Sequence, residues 1–406
     1  MSERQVIGRR EVLELLGAGM IAGPASARQP RTEDAALRQT LDGLAALPGP
    51  GERLRALAGI DAARLSPVGR ADVLTIRFAL QCDQALAGLP ANAAERYPLL
   101  LARACGAPIN IDAAERRLQA EAARLQATAA RLFDRLGIPG NQCGDRFRAL
   151  FADPACHYGD DDAGRAAAVA DMSRWLGDAR AALPRWFGPL PAACRDVEVA
   201  PLSPADLAAG KPGYRVLPGP GRHGTYYVDL RDIRRRPRWS LRSVVHHELL
   251  PGHMVQLPLE AIAGPHPLRL RDARAFTEGW AIYGEMLAWR AGLCADPAEE
   301  LGIVHWLLFR VARGLVDIGI NGRGWSVGQA LDCLGTTMGD PVYFAPFTAD
   351  IAAIAAQPGQ RVAEALTAYA LADGAAKRSN PRRFHARVLA DGALPILLIT
   401  RIGTRA

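Results

Sequence analysis

Residues 243–256 read SVVHHELLPGHMVQ, and this stretch carries the most specific chemical pattern in the chain. His247 and Glu248 form the His-Glu pair that marks zinc-binding helices of metalloproteases. In that pattern the second histidine follows four residues after the first, on the same face of the helix. Here the fourth residue is Pro251, and the next histidine is His253, six residues after His247.

The six-residue spacing requires a local change in the helix. Six residues of regular helix give a net rotation of about 240° and a rise of about 9 Å, so the two imidazoles could not reach one ion. Pro251 pushes Leu250 out of the helical region, and Gly252 permits unusual torsions. We therefore expect a kink or bulge that brings His253 to His247. The alternative is a proline-kinked buried helix in which the two histidines are incidental.

A second motif supplies carboxylates. Residues 276–285 read FTEGWAIYGE, in which Glu278 and Glu285 lie two helical turns apart on nearly the same face. Carboxylates beside Trp280 and Tyr283 are costly to bury unless a cation or a donor meets them. Glu285 could orient a ligand histidine, or it could lie at the surface. Catalytic zinc usually has three protein ligands, and the predicted ligands of Zn(II) are His247, His253 and Glu278.

The remainder of the chain favours a mainly helical fold. Apolar residues recur at helical spacing over 32–183, most clearly in the run of leucines at 118, 125, 132 and 136. Proline and glycine cluster at 184–204, and residues 224–232 (GTYYVDLRD) are typical of a short strand. These patterns predict a helical N-terminal region at 28–200 and a metal-binding catalytic region at 201–406.

Composition excludes several classes of protein. The chain has 406 residues, of which 49% are apolar and 22% are charged, so it has ample material for a folded core. A net charge of +7 is small for this length, and the basic run 231–238 lacks interleaved aromatic residues, so nucleic-acid binding is not expected. The seven cysteines show no CxxC spacing, which argues against a cysteine-rich zinc module.

The first residues resemble an export signal. Arg9 and Arg10 precede an uncharged stretch from Leu15 to Ala27, which ends in the A-x-A pattern Ala25-Ser26-Ala27. Such a run is too short to cross a bilayer of about 30 Å, so a stable membrane anchor is not expected. We predict a twin-arginine export signal at 1–27 and a periplasmic or secreted protein. The alternative is an ordinary amphipathic first helix.

The motifs HELLPGH (247–253) and TEGWAIYGE (277–285) resemble the bacterial domain-of-unknown-function 885 family, whose members are similar to gluzincin metallopeptidases. The resemblance extends from residue 226 to the end of the chain. It implies a helical zincin-like metallopeptidase fold with a small β-sheet beside the active-site helix, and a zinc-dependent hydrolase. Two residues depart from the family pattern: Met254 and Asn321 stand where the family usually has histidines.

Roles follow for the individual residues. In a zinc hydrolase acting on peptide or small amide substrates, Glu248 would be the general base. Tyr227, or its neighbour Tyr226, could bind a peptide backbone by edge pairing or stabilise the developing oxyanion, although either could be a core residue. Arg313 and Asp317, four residues apart on one predicted helix, could form a surface ion pair or a buried pair that binds a substrate carboxylate.

Two other functions remain compatible with the sequence. The same metal site could serve an enzyme of another class that acts on a small metabolite. Alternatively, the chain could be a non-catalytic binding protein that retains the fold. The presence of Glu248 argues against the second alternative, because a binding protein does not need a general base.

Overall fold

The computed structural model of the protein describes residues 32–404, apart from 220, 295, 342–345 and 379. The predicted export signal at 1–27 lies outside the described residues. Within the described part of the chain, no helix is both long and apolar enough to cross a membrane.

The N-terminal region is helical, as predicted. Polar side chains cap several of its helices: Ser66 accepts from the amide of Gly69, and Asn110 accepts from that of Ala113. The helices are α1 (Thr32–Gly43), α2 (Pro50–Ala58), α3 (Pro67–Ala87), α4 (Arg96–Cys105), α5 (Ile111–Arg135), α6 (Cys143–Ala152) and α7 (Asp162–Trp186).

A small three-stranded sheet follows α7. Its strands are β1 (Val197–Pro201), β2 (Tyr214–Val216) and β3 (Gly224–Val228), and the short helix α8 (Pro204–Ala208) connects the first two. The strand order is β1-β3-β2, with β3 parallel to β1 and antiparallel to β2. The strand predicted at 224–232 is thus present, but it is the central strand. Both of its edges are paired, so it cannot bind a peptide by edge pairing.

Helices form the rest of the chain, which confirms a mainly helical fold with a small sheet. Their bounds are α9 (Arg238–Glu248), α10 (His253–Ala263), α11 (Pro267–Asp272), α12 (Ala275–Arg290), α13 (Pro297–Arg323), α14 (Val327–Met338), α15 (Phe347–Ala356), α16 (Gln360–Ala376), α17 (Pro381–Leu389) and α18 (Ile396–Thr404).

The main core extends across the predicted boundary at residue 201. Helix α5 packs along α13, whereas α12 packs along α16 and also contacts α9. One continuous set of buried apolar side chains contains residues of both regions, from Ala71 to Ile399. A second, smaller cluster holds α1, α2 and α3 together. The helices that carry the two motifs therefore lie inside the main core.

Candidate metal centre

The HELLPGH motif lies at a break between two helices. Helix α9 ends at Glu248 because Leu249 adopts φ −114° and ψ −101°, which is outside the helical region. The amide of Leu249 still bonds to the carbonyl of Val245 (3.0 Å), and that of Met254 bonds to the carbonyl of Leu249 (3.1 Å). The helix is thus interrupted over residues 249–252, between α9 and α10, and these two hydrogen bonds bridge the interruption.

Gly252 makes the break possible. A Cβ atom at this position would lie 2.0 Å from the carbonyl oxygen of His247 and 2.5 Å from that of His246. Gly284 of α12 lies against the same turn, since a Cβ there would be 3.2 Å from the Cα of Gly252. Close approach of three backbone segments therefore requires glycine at both positions.

The break brings His253 beside His247. Their ring centroids are 4.9 Å apart, with the ring planes nearly perpendicular at 88°. Glu278 of α12 completes the cluster: its Oε2 lies 3.5 Å from Nε2 of His247, and its Oε1 lies 4.0 Å from Nε2 of His253. One ligand atom from each residue falls within 4.8 Å of the others. The structure thus places the three predicted zinc ligands together in a geometry that could hold a metal ion.

Glu285 is fully buried behind His247, and not at the surface. Its Oε1 lies 2.7 Å from Nδ1 of His247, and its Oε2 accepts a hydrogen bond of 2.6 Å from the hydroxyl of Ser243. A carboxylate oxygen accepts hydrogen bonds, so we assign the ring proton of His247 to Nδ1, which donates to Oε1 of Glu285. With the proton on Nδ1, Nε2 is unprotonated. This nitrogen is the one nearer Glu278, and its lone pair can coordinate a metal ion.

His253 is fully buried, and neither of its ring nitrogens has a hydrogen-bond partner in the described part of the chain. Burial, reinforced by the positive charge of Arg215, holds the pKa of His253 well below its usual value. The ring is therefore neutral at physiological pH, which is the form that binds a metal. Two buried polar atoms without partners are costly, and a bound cation would satisfy one of them.

Glu278 is ionised. Burial raises its pKa, but the close contact with His247 and the positive charge of Arg310 act in the opposite direction and leave the pKa well below its usual range. The cluster thus offers a carboxylate and two imidazoles, a ligand set found in catalytic zinc sites. Among the described residues His246 is not a member of this group. Its Nδ1 lies 3.1 Å from the carbonyl oxygen of Leu250.

Glu248 lies at the edge of this cluster, where it forms an ion pair with Arg215 of β2. Both side chains are partly exposed, with 20% and 27% of their surface accessible. The sequence did not predict a role for Arg215. The strand Tyr214–Val216 has only three residues, and nothing in them indicates that this strand pairs with β3. Only the antiparallel pairing of the two strands brings the guanidinium of Arg215 to Glu248.

The sheet register corrects the role expected for Tyr227. Tyr227 is paired with Tyr214, on which it stacks with ring centroids 4.9 Å apart. Tyr226 is paired with Arg215, and paired residues project from the same face of a sheet. Since successive residues alternate between faces, Tyr226 shares the face that contacts Glu248, and Tyr227 is on the opposite one.

The structure also corrects the expected pairing of Arg313 with Asp317. Arg313 is buried and forms its ion pair with Asp350 of α15, at 2.8 Å. Asp317 is fully buried and accepts hydrogen bonds from the amides of Gly359 (2.8 Å) and Arg361 (3.0 Å). It therefore caps the N-terminus of α16 from the side, where its negative charge is also favourable to the helix dipole.

The two departures from the family pattern have structural roles. Asn321 donates a hydrogen bond of 3.0 Å to Asp317 and so belongs to the cap of α16. Met254 is fully buried, and its sulfur lies 3.4 Å from the position that a Cβ of Gly224 would occupy. It packs α10 against the start of β3.

Replacing Asp317 by alanine is expected to lower the free energy of unfolding by about 3 kcal/mol, because several buried donors lose their acceptor and each unsatisfied buried group costs about 1–3 kcal/mol. Urea unfolding followed by circular dichroism measures this change. Asp373→Ala is a matched control, since Asp373 lies on α16 but is 53% exposed in its pair with Arg117, and it should change the stability by less than about 1 kcal/mol. Equal, small effects of both substitutions would contradict the capping role.

Fold and site together define a mainly helical protein with a buried cluster of two histidines and one glutamate at a break between helices. The chain belongs to the family described as bacterial protein of unknown function (DUF885), which matches residues 19–402. The family predicted from the two motifs is thereby confirmed. No curated protein matches the chain.

Two solved structures share the fold. Both are described as a "putative lipoprotein", one from Colwellia psychrerythraea and one of unknown function from Shewanella oneidensis. The first is 22% identical, with a TM-score of 0.66, over 91% of this chain and 69% of that chain. The second is 17% identical, with a TM-score of 0.60, over 91% of this chain and 72% of that chain.

Proposed function

We propose that the protein is a zinc-dependent hydrolase with a zincin-like centre that cleaves peptide or related amide bonds. The observation that carries the proposal is the buried His253, whose ring nitrogens lack partners among the described residues and which lies beside His247 and Glu278. His247, His253 and Glu278 would hold Zn(II), and Glu285 would orient His247. Bound zinc supplies Lewis-acid chemistry, which polarises a carbonyl and makes water nucleophilic at neutral pH.

The protein's own residues would move the proton. Glu248 is adjacent to His247 in the sequence and partly exposed, so its carboxylate can take a proton from water and pass it to the leaving amine. Arg215 holds that carboxylate at the edge of the cluster. Tyr226 shares the sheet face of Arg215 and replaces Tyr227 as the candidate donor to the developing oxyanion.

We further propose that the protein acts outside the cytoplasm. The pattern at residues 1–27, with its paired arginines and its A-x-A ending, supports export. The lipoprotein description of the two similar structures also favours a location beyond the inner membrane.

Zinc analysis of the purified chain tests the metal centre. We expect one equivalent of zinc in the wild type and less than about one tenth in His253→Ala, because a ligand contributes more to affinity than the 10–100-fold typical of its supporting carboxylate. His223→Ala is the matched control, since that side chain is 60% exposed and pairs with Asp196. Unchanged stoichiometry in His253→Ala would remove this residue as a ligand.

Digestion of a peptide library by the zinc-loaded protein tests the reaction class. Cleavage of amide bonds that stops after chelation and returns with added zinc is the expected result. Bound zinc without any amide cleavage would contradict a peptidase and would favour a metal enzyme that acts on a small metabolite.

A further inference from the structure

Ser243 lies one turn before His247 on α9 and is fully buried. Its hydroxyl donates a hydrogen bond of 2.6 Å to Oε2 of Glu285, whose other oxygen, Oε1, accepts from Nδ1 of His247 at 2.7 Å. We propose that Ser243 is a positioning residue of the metal centre, which fixes the carboxylate of Glu285 and, through it, the ring of His247. The proposal rests on the zinc-binding function proposed above and adds a residue that keeps its ligand set in place.

The carboxylate of Glu285 lies between two side chains on one face of α9. Ser243 and His247 are four residues apart, so they project from the same side of the helix with a rise of about 6 Å between them. Within the described residues, these two side chains are the only hydrogen-bond partners of the Glu285 carboxylate. Each of its oxygens thus has one donor, and both donors come from the helix that carries His247.

The hydrogen bond from Ser243 fixes the one part of Glu285 that the backbone leaves free. Helix α12 packs closely on α9 here, since a Cβ atom on Gly284 would lie 3.2 Å from the carbonyl oxygen of His246. The last torsion of a glutamate side chain has a broad profile, so backbone packing does not set it. A short hydrogen bond from a hydroxyl to a carboxylate is about twice as strong as a neutral one and can set this torsion. Without Ser243, Oε2 would lose its donor, and the carboxylate could turn away from His247.

His247 is the histidine of the cluster that depends on such support. In the described part of the chain, neither ring nitrogen of His253 has a hydrogen-bond partner, so hydrogen bonds do not orient that ring. Nε2 of His247 lies 3.5 Å from Oε2 of Glu278, and it keeps this position only while Nδ1 stays bonded to Glu285. Loss of the Ser243 hydroxyl would therefore reach the metal site as a less ordered imidazole.

Zinc titration of the full-length chain tests this role. Ser243→Ala should weaken zinc binding about tenfold, at the lower end of the 10–100-fold loss typical for groups that support a metal ligand. Ser240→Ala is the matched control and should bind zinc like the wild type. Ser240 is also buried on α9, but its hydroxyl donates to the carbonyl oxygen of Pro237 (2.9 Å) at the start of the helix. Thermal unfolding of each variant without zinc verifies that it is folded.

Proton NMR of the metal-free chain measures the contact itself. The Nδ1 proton of His247, buried against a carboxylate, should give a downfield imidazole resonance that is absent from His247→Gln. Ser243→Ala should shift this resonance or speed its exchange with water at least about tenfold, because a hydrogen bond to the carboxylate is lost. Ser240→Ala should leave the resonance unchanged.

The positioning role would be overturned if folded Ser243→Ala bound zinc as tightly as Ser240→Ala. It would also be overturned if the His247 resonance were absent from the wild type or did not respond to the loss of the Ser243 hydroxyl. A wild type that binds no zinc would instead contradict the proposed hydrolase, and the resonance alone would then decide whether Ser243 positions His247.

Discussion

Replacing Glu248 by glutamine is expected to lower kcat for amide hydrolysis by about 10²–10⁴-fold, because glutamine cannot accept the proton that the carboxylate would take from water. Zinc should remain bound at one equivalent, since Glu248 is not a member of the ligand cluster. The ion pair with Arg215 is partly exposed, so its loss should change the stability by less than about 1 kcal/mol. Steady-state kinetics, zinc analysis and thermal unfolding of the same preparation measure the three quantities.

Glu52→Gln provides the control for this substitution. Glu52 lies on α2, is 44% exposed and, among the residues that the structure describes, pairs only with Arg55, so its replacement should leave kcat unchanged. A Glu248→Gln protein that binds zinc and keeps its full activity would remove Glu248 as the general base. A protein that loses zinc would instead show that Glu248 supports the metal site.

Replacing Gly252 by alanine is expected to destabilise the fold by about 3 kcal/mol or more and to weaken zinc binding at least about tenfold. The added Cβ would lie 2.0 Å from the carbonyl oxygen of His247, and a backbone atom in a packed core cannot move away cheaply. The separation of α9 and α10 would have to change, and with it the distance between His247 and His253. Urea unfolding and a zinc titration measure the two effects.

Gly177→Ala is the matched control, with an effect of opposite sign. Gly177 lies within α7, and a Cβ at this position would meet no atom within 4 Å. Alanine should therefore stabilise the protein by about 0.5–1 kcal/mol through its higher helix propensity. If Gly252→Ala were as stable as the wild type, the close backbone approach at the break would not be required for folding.

The helices and the cluster of His247, His253 and Glu278 could be predicted from the sequence because their signals are local. Helical periodicity and capping residues depend on neighbours a few positions away, as in α5 and its cap Asn110. The same is true of the break, since Pro251 and Gly252 act on the backbone beside them. The second motif was recognisable because carboxylates amid aromatic residues indicate a buried polar site.

Contacts between distant parts of the chain were decided only by the tertiary structure. The sequence did not indicate that Arg215 would meet Glu248, because that contact depends on how a three-residue strand pairs with β3. The same register placed Tyr226, and not Tyr227, on the face of Arg215. Arg313 is paired with Asp350 and Asp317 caps α16, since packing between helices outweighs the local i, i+4 spacing. Local chemistry thus determined the candidate ligands, whereas long-range packing determined which charged side chains surround them.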